Sequence, residues 1–254
     1  KKITEPNNHR RATVGLGIPG SIKKHKKVVQ NSNSTWIIGK NIKKDVEKIL
    51  ERPVRVANDA NCFTMSEARD GAGLGYGLVF GVILGTGVGG GISFENNIWN
   101  GPNSIAGEWG HNQIPYFAAK KENFDSNNAR EAEIESFISG LGLAKRFNKI
   151  YGKNLKTNEI FELYRKHDLN SEKFIDEFKL NLAMSLSTII NILDPDVFIF
   201  GGGVSNEIDF LDEIESMVKK FVIGKEYEGV FLKPKYGDAS GVRGAARLGR
   251  KSIY

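Results

Sequence analysis

The stretch LVFGVILGTGVGGGISFE, Leu78 to Glu95, decides how the rest of the chain is read. Its first seven residues, Leu78 to Leu84, form an apolar run interrupted only by Gly81. That is the pattern of a strand buried on both faces. Five of the next seven positions are glycine: Gly85, Gly87, Gly89, Gly90 and Gly91. Without Cβ atoms, a chain leaving a strand can turn its backbone N–H groups onto a polyanion. Thr86 adds a hydroxyl inside the run. No lysine closes it and no helix is expected after it, so it fits neither the Walker nor the dinucleotide glycine pattern. The competing structural reading is a glycine-rich bend. Ile92 to Glu95 continues as a strand, and Asn96-Asn97 reads as a two-residue hairpin turn into Ile98-Trp99.

On the N-terminal side, Thr13 to Ile18 alternates and ends at Pro19-Gly20, predicting a strand and a turn. Asn31 to Trp36 is polar and reads as loop. Ile42 to Leu50 carries apolar residues at helical spacing, and Pro53 ends that segment. Val54 to Ala57 predicts a short strand leading into Asn58-Asp59-Ala60-Asn61. A helix from Ala60 to Asp70 follows, ended by Gly71 and Gly73. On the C-terminal side, Ala118 to Ala132 is polar and patternless. Helices are predicted over Ile134 to Tyr151 (interrupted at Gly140-Leu141-Gly142), Glu159 to His167 and Phe174 to Leu193, the last broken by Asp194-Pro195. Asp196 to Phe200 reads as a buried strand ending in Gly201-Gly202-Gly203. A helix over Ile208 to Phe221, a strand over Val230 to Pro234 and a helix over Gly241 to Arg250 complete the pattern. Strands alternating with helices define an α/β chain. Hairpin turns and helical crossovers together imply a sheet with both parallel and antiparallel pairs.

Composition narrows the class. The chain has 254 residues, 40% hydrophobic and 26% charged, ordinary values for a globular protein with a sizeable core. No apolar run approaches the roughly twenty residues a membrane helix needs, and no secretory pattern opens the chain. Cys62 is the single cysteine, so no disulfide forms within the chain and a cytoplasmic setting is expected. Net charge is +6. The basic residues are scattered apart from Lys23-Lys24-His25-Lys26-Lys27, which reads as a solvated loop or as an electrostatic guide for anions. No aromatic residues interleave with it, so no nucleic-acid partner is expected.

Three further segments carry chemistry. A carboxylate at a strand end beside a helix start, as Asp59 is placed, can take the proton of a hydroxyl that attacks a phosphoryl group. Asn and Asp are equally favoured there as helix caps. Gly107-Glu108-Trp109-Gly110-His111 offers hydroxyl partners beside an apolar ring, a combination suited to a sugar. Gly201 to Gly203 ends a buried strand, where ligands of open α/β sheets bind or where a helix packs closely.

In order along the chain, Gly15 to Gly20, Asn58 to Asn61, Gly85 to Gly91, Gly107 to His111, Asp194-Pro195-Asp196, Gly201 to Gly203 and Gly237-Asp238 resemble the ROK sugar kinases. Asn31 to Trp36, Phe137 to Gly140 and Asp238 to Ala246 look like bacterial fructokinases of the mannofructokinase type. The resemblance implies an actin-like, hexokinase-like (ribonuclease H-like) two-domain ATPase fold. Its small domain would take residues 1–70 and the C-terminal helix 241–254, and its large domain residues 71–240. It implies phosphorylation of a hexose by ATP with Mg²⁺, D-fructose to fructose 6-phosphate first, and a homodimer. Asp59 would be the catalytic base. Pro19, Gly20, Asn33, Asn58, Glu108, His111 and Glu135 would contact the sugar, and Gly85, Thr86, Gly87 and Gly201, Gly202, Gly203 the nucleotide.

Two departures from the family pattern qualify these expectations. The family's first phosphate loop has no counterpart in Lys1 to Ala12, which contain no glycine. The opening strands of the small domain are therefore expected to be missing, and turnover by the chain as written to be weak. The family's zinc-binding cysteines are also absent between Asn112 and Ile134, so no zinc is expected at His111. The alternatives are a sugar-binding ROK protein impaired in catalysis and, further off, the body of a ROK transcriptional regulator. The residues before Thr13 show no helix-turn-helix pattern, which disfavours the regulator.

Overall fold

The computed structural model describes residues 14–23, 25–32, 34–115 and 129–249. The expected loop contact Asn33, most of the 118–132 loop and the residues before Val14 lie outside the described residues, as do residues 250–254.

The first strand, β1 (Val14–Ile18), is followed by an antiparallel hairpin of β2 (Ser21–Lys23) and β3 (Val28–Gln30). The described residues of the basic run, Lys23, His25, Lys26 and Lys27, are exposed at its tip. Helix α1 (Ile42–Leu50) matches its predicted bounds, with the Asn41 side chain accepting from Lys44 N at 3.1 Å. It carries the chain back to β4 (Val54–Asn58), which pairs in parallel with β1 from Val14↔Val54 to Ile18↔Asn58. Helix α2 (Asp59–Asp70) starts without a connecting residue.

The second sheet has five strands in the order β7-β6-β5-β8-β9. Strand β5 (Leu78–Leu84) lies at its centre, antiparallel to β6 (Val88–Phe94) and parallel to β8 (Val197–Gly201). The edges are β7 (Asn97–Ile98) and β9 (Val230–Leu232). The hairpin into β7 turns at Glu95-Asn96, one residue before the predicted position, with φ of +48° and +63°. Two left-handed residues in succession give the turn whose twist matches the flanking strands.

Seven further helices are described: α3 (Ile134–Ile138), α4 (Gly140–Tyr151), α5 (Thr157–Arg165), α6 (Leu169–Leu193), α7 (Gly203–Glu207), α8 (Leu211–Val218) and α9 (Ser240–Arg247). The predicted interruption near Gly140 falls at Ser139, whose hydroxyl accepts from Gly142 N at 2.9 Å and starts α4. Helix α6 begins five residues before Phe174 because Asp168 caps it, accepting from Ser171 N at 2.9 Å. The segment expected as one helix over Ile208 to Phe221 shortens to α8, and the unpredicted α7 precedes it. No helix among the described residues is long and apolar enough to cross a membrane.

One face of the large sheet buries Phe80, Phe198 and Phe200 against helices of the 134–222 region. The Phe80 and Phe198 rings lie 5.5 Å apart, and Phe198 and Phe231 5.1 Å apart. Each such ring contributes roughly 2–3 kcal/mol by burial. The opposite face, with Val79, Val197 and Ile199, packs on Phe63 and Ala68 of α2. So α2 is covered on both sides, with the large sheet on one and β1 with α9 on the other.

Glycines make that sandwich possible. A Cβ at Gly91 would press on Thr64 of α2, one at Gly244 would overlap the Cys62 carbonyl, and one at Gly15 the Ala245 carbonyl. Glu67, fully buried in α2, locks the far end. Its carboxylate accepts from Ala72 N at 2.8 Å, Lys235 N at 3.0 Å, Tyr236 N at 3.4 Å and the Ser240 hydroxyl. Asp70 accepts from Arg243 at 3.0 Å and also pairs with Arg247.

Candidate active site

Asp59 stands where β4 becomes α2, next to the residue that caps the helix. Asn58 accepts from Asn61 N at 3.2 Å and donates its amide to Gly20 O at 3.1 Å. The Pro19-Gly20 turn, with Pro19 exposed, is thereby held against the start of α2. Gly20 has φ +89°, and a Cβ there would crowd the carbonyl oxygens of Gln30 and Asn31. The Asp59 carboxylate accepts from Ala60 N at 2.9 Å and remains open to solvent on one side. Burial among its walls raises its pKa above the ordinary carboxylate value, outweighing the backbone hydrogen bonds that lower it. A reachable carboxylate that is poorly solvated as an anion is a good proton acceptor. Cys62, one turn further on, is buried, and burial followed by the charge of Asp59 pushes its thiol up to about 12. It is therefore no nucleophile at neutral pH.

Glu108 and His111 come from the loop after β7, and Glu133 and Glu135 from the start of α3. Burial raises the Glu108 pKa, the nearby positive charge of His111 opposes that, and the negative charges of Asp59 and Glu135 add to it. His111 Nδ1 lies 2.9 Å from Glu133 Oε2, and its Nε2 lies 4.0 Å from Glu108 Oε2. Burial pulls the His111 pKa down. The hydrogen bond and charge of Glu133, then the charges of Glu135 and Glu108, outweigh that and hold it above the usual histidine value. Asp59, Glu108, His111 and Glu135 thus form one electrostatic group. Glu133 belongs to it and was missed from sequence. Its signal was the alternation Glu131, Glu133, Glu135.

Glu135 also reaches the glycine loop. Its Oε2 accepts from Val88 N at 2.7 Å, and a Cβ at Gly87 would collide with the same carboxylate. Beyond the loop lies a cleft of about 590 Å³ lined by Gly85, Thr86, Gly140, Leu141, Lys156, Thr157 and Gly203, among others. Gly140 N donates to Gly85 O at 2.8 Å, and the Thr157 hydroxyl donates to Gly140 O at 2.6 Å. These bonds fix the walls of a space that suits a nucleotide-sized ligand. Gly140, Lys156 and Thr157 were not anticipated at the cleft, because Gly140 read as an interruption within a helix and the other two as residues before the helix predicted from Glu159.

The glycines of the two runs divide by what surrounds them. A Cβ at Gly85 or Gly203 would meet nothing within 4 Å and would project into open space. Both line the cleft. A Cβ at Gly201 would strike the Phe63 ring, and one at Gly202 the Leu84 carbonyl oxygen. Gly201 and Gly202 therefore serve close packing, and only Gly203 of that triplet borders the cleft.

Comparison with known proteins gives a consistent result. A family model described as the ROK family matches residues 2–252. The N-acetyl-D-glucosamine kinase of Photobacterium profundum is 37% identical over 243 residues, covering 94% of this chain and 80% of its own. That of Histophilus somni is 37% identical over 245 residues, with the same coverage. Among solved structures, a ROK family glucokinase from Streptomyces griseus in complex with glucose and AMPPNP superposes with TM-score 0.79 at 28% identity, covering 94% of this chain and 81% of that one. The ROK hexokinase from Thermus thermophilus gives TM-score 0.80 at 23% identity, over 92% of this chain and 77% of that one, a likeness of fold. The hexokinase-like α/β fold expected from sequence is the fold found.

Proposed function

Because this chain belongs to the ROK family, we propose that it transfers the γ-phosphoryl group of ATP to a hydroxyl of a hexose-type sugar. One observation carries the reading. Asp59, open and with a raised pKa, shares an electrostatic group with Glu108 and Glu135, and Glu135 in turn holds the glycine loop beside a ligand-sized cleft.

The sugar lies against Asn58, Glu108, His111 and Glu135, with the Pro19-Gly20 turn above it. Asp59 accepts the proton of the attacking hydroxyl as the bond to phosphorus forms and the bond to the leaving ADP oxygen breaks. The phosphate chain runs over Gly85, Thr86 and Gly87, and the adenosine end lies toward Gly140, Lys156 and Gly203. Mg²⁺ bound with ATP would supply neutralisation of phosphate charge. Asp59 and Glu108 fit its neighbourhood, since burial holds both carboxyls above the ordinary range and a nearby cation relieves that cost.

N-acetyl-D-glucosamine is the first candidate acceptor, supported by relatives at 37% identity. Two segments that look like fructokinase have packing roles in this fold. Phe137 is buried, Ser139 caps α4, and Ser240 and Gly244 dock α9 on α2. They therefore carry little weight on sugar choice. Fructose remains the second candidate through the resemblance of Asn31 to Trp36, of which Asn31 and Ser32 neighbour Gly20.

The test is ADP release by the purified chain with Mg-ATP and N-acetylglucosamine, fructose, mannose or glucose in turn. The expected order of kcat/KM places N-acetylglucosamine first, with Asp59→Asn about 10³-fold slower or worse. A chain that binds sugar by calorimetry yet releases no ADP would instead be the catalytically impaired relative.

A further inference from the structure

A second cavity, of about 710 Å³, shares only Asn58 with the candidate active site. Four consecutive β4 residues, Arg55 to Asn58, line it, and β4 pairs only with β1 among the described residues. Five of its lining side chains are basic: Lys27, Lys43, Arg55, Arg69 and Arg247. No Asp or Glu lines it, although the chain as a whole carries 30 acids against 36 bases. Three of the five are partly engaged elsewhere. Lys43 stands 3.9 Å from Glu47, Arg69 Nε donates to Asn96 O at 3.3 Å, and Arg247 pairs with Asp70, which does not line the cavity. Lys27 and Arg55 have no side-chain hydrogen bond or ion pair among the described residues. A concave surface with five cations and no anion focuses positive potential on whatever enters it.

A second observation concerns Asn61, which lines the same cavity and is 7% exposed. Its amide nitrogen donates to Asn100 Oδ1 at 2.9 Å, but its Oδ1 is buried without a hydrogen-bond partner. A buried acceptor left unpaired is costly and calls for a donor. Phosphate monoester oxygens satisfy the cations, and they leave Asn61 Oδ1 unsatisfied. A hydroxyl satisfies it.

We propose that this cavity is a regulatory site for a phosphorylated sugar, its phosphate held by Lys27 and Arg55 and a hydroxyl donated to Asn61 Oδ1. The identity of the sugar body rests on the kinase reading above, because that reaction's product is of this class. The anion site itself does not depend on that reading. Asn58 is the route to catalysis. It lines the cavity, caps the helix that begins with Asp59, and holds Gly20 in place. A ligand seated against it therefore alters the placement of the base and the turn, and slows phosphoryl transfer without occupying the active site.

The experiment is calorimetry on the full chain with free N-acetylglucosamine and AMPPNP both saturating, so that the active site is blocked. N-acetylglucosamine 6-phosphate and inorganic phosphate are the probes. The sugar phosphate should still bind, more weakly as salt is raised, and more tightly than inorganic phosphate. The double variant Lys27→Glu/Arg55→Glu should weaken it about tenfold or more and leave free-sugar affinity unchanged. In turnover assays the sugar phosphate should inhibit non-competitively toward both substrates, and the double variant should lose that inhibition while keeping kcat. No binding under blocked conditions, or binding indifferent to the charge reversals, overturns the proposal. Equal affinity for inorganic phosphate overturns its sugar part. A chain that binds the sugar phosphate but turns nothing over sinks the kinase reading and leaves the anion site standing.

Discussion

Asp59 is held in a state that costs the folded protein something. Its raised pKa means the native chain binds that proton more tightly than the unfolded chain does. The resulting stabilisation is full below the unfolded value of 3.8 and is lost as pH rises through the folded value. At neutral pH the ionised group is therefore a burden that Asp59→Asn removes. Thermal melts should show the variant at or above the parent Tm near pH 8, with the gap closing as pH falls toward 3.8. If Asp59 is the proposed base, the same substitution should also slow turnover about 10³-fold or more, the usual trade of stability against activity. In the parent enzyme, the acidic limb of kcat/KM should lie above the ordinary carboxylate range. His111 works with the opposite sign of charge. Its raised pKa gives stability that is present below the unfolded value of 6.5 and lost as pH rises through the folded value. Glu133 supplies the largest raising influence. Glu133→Gln should therefore move the His111 imidazole titration, followed by NMR, to lower pH, and an unmoved titration would show the contact is not made in solution.

Helix α2 is where sequence legibility both succeeds and stops. Its existence was readable, and its start was predicted at Ala60, one residue after the observed Asp59, because a cap residue and a closing glycine bracket a helical pattern. Its setting was not readable. Nothing in the spacing of Glu67 shows that it lies fully buried under four donors from residues 72, 235, 236 and 240, because such partners are brought together only by the folded chain. The glycine runs have the same limit. Gly201, Gly202 and Gly203 are identical letters, yet two face packed neighbours and one faces the cleft. The structural difference makes a paired prediction. Gly244→Ala sets a Cβ against the Cys62 carbonyl, backbone that cannot move aside. It should destabilise the chain by about 1–3 kcal/mol or more, read as a lower Tm and urea midpoint. Gly203→Ala adds a Cβ in open space at the start of α7 and should stay within about 0.5 kcal/mol of the parent. If the cleft holds ATP, Gly203→Ala should raise KM for ATP while leaving KM for sugar alone. A stable Gly244→Ala protein would mean that α9 does not sit as tightly on α2 as the structure has it.

At the scale of the whole molecule, Glu135 links the two proposed ligand regions among the described residues. Motif order along the chain made both regions visible in the sequence, but not the bond between them, since Glu135 and Val88 lie 47 residues apart. Glu135 sits in the electrostatic group with Glu108 and His111, and it also accepts from Val88 N at the turn of the glycine loop. A sugar hydroxyl that orders the Glu135 carboxylate also orders that loop, and part of the entropy of arranging the loop is then already spent when ATP arrives. Sugar and nucleotide should therefore bind with positive coupling. Thermodynamic linkage requires the factor to be the same in both directions. The expected coupling is of the usual size, about 5- to 150-fold. It can be measured by calorimetry with AMPPNP in the presence and absence of sugar, and in the reverse order of addition. Glu135→Gln keeps the shape and weakens the charge-assisted bond to Val88 N, so it should lower the coupling factor more than it lowers either affinity alone. Coupling unchanged in that variant would mean that the two regions communicate by closure around the Pro19-Gly20 turn rather than through Glu135. Gly20→Ala, strained at φ +89° and crowded by the Gln30 carbonyl, should then be the substitution that abolishes it.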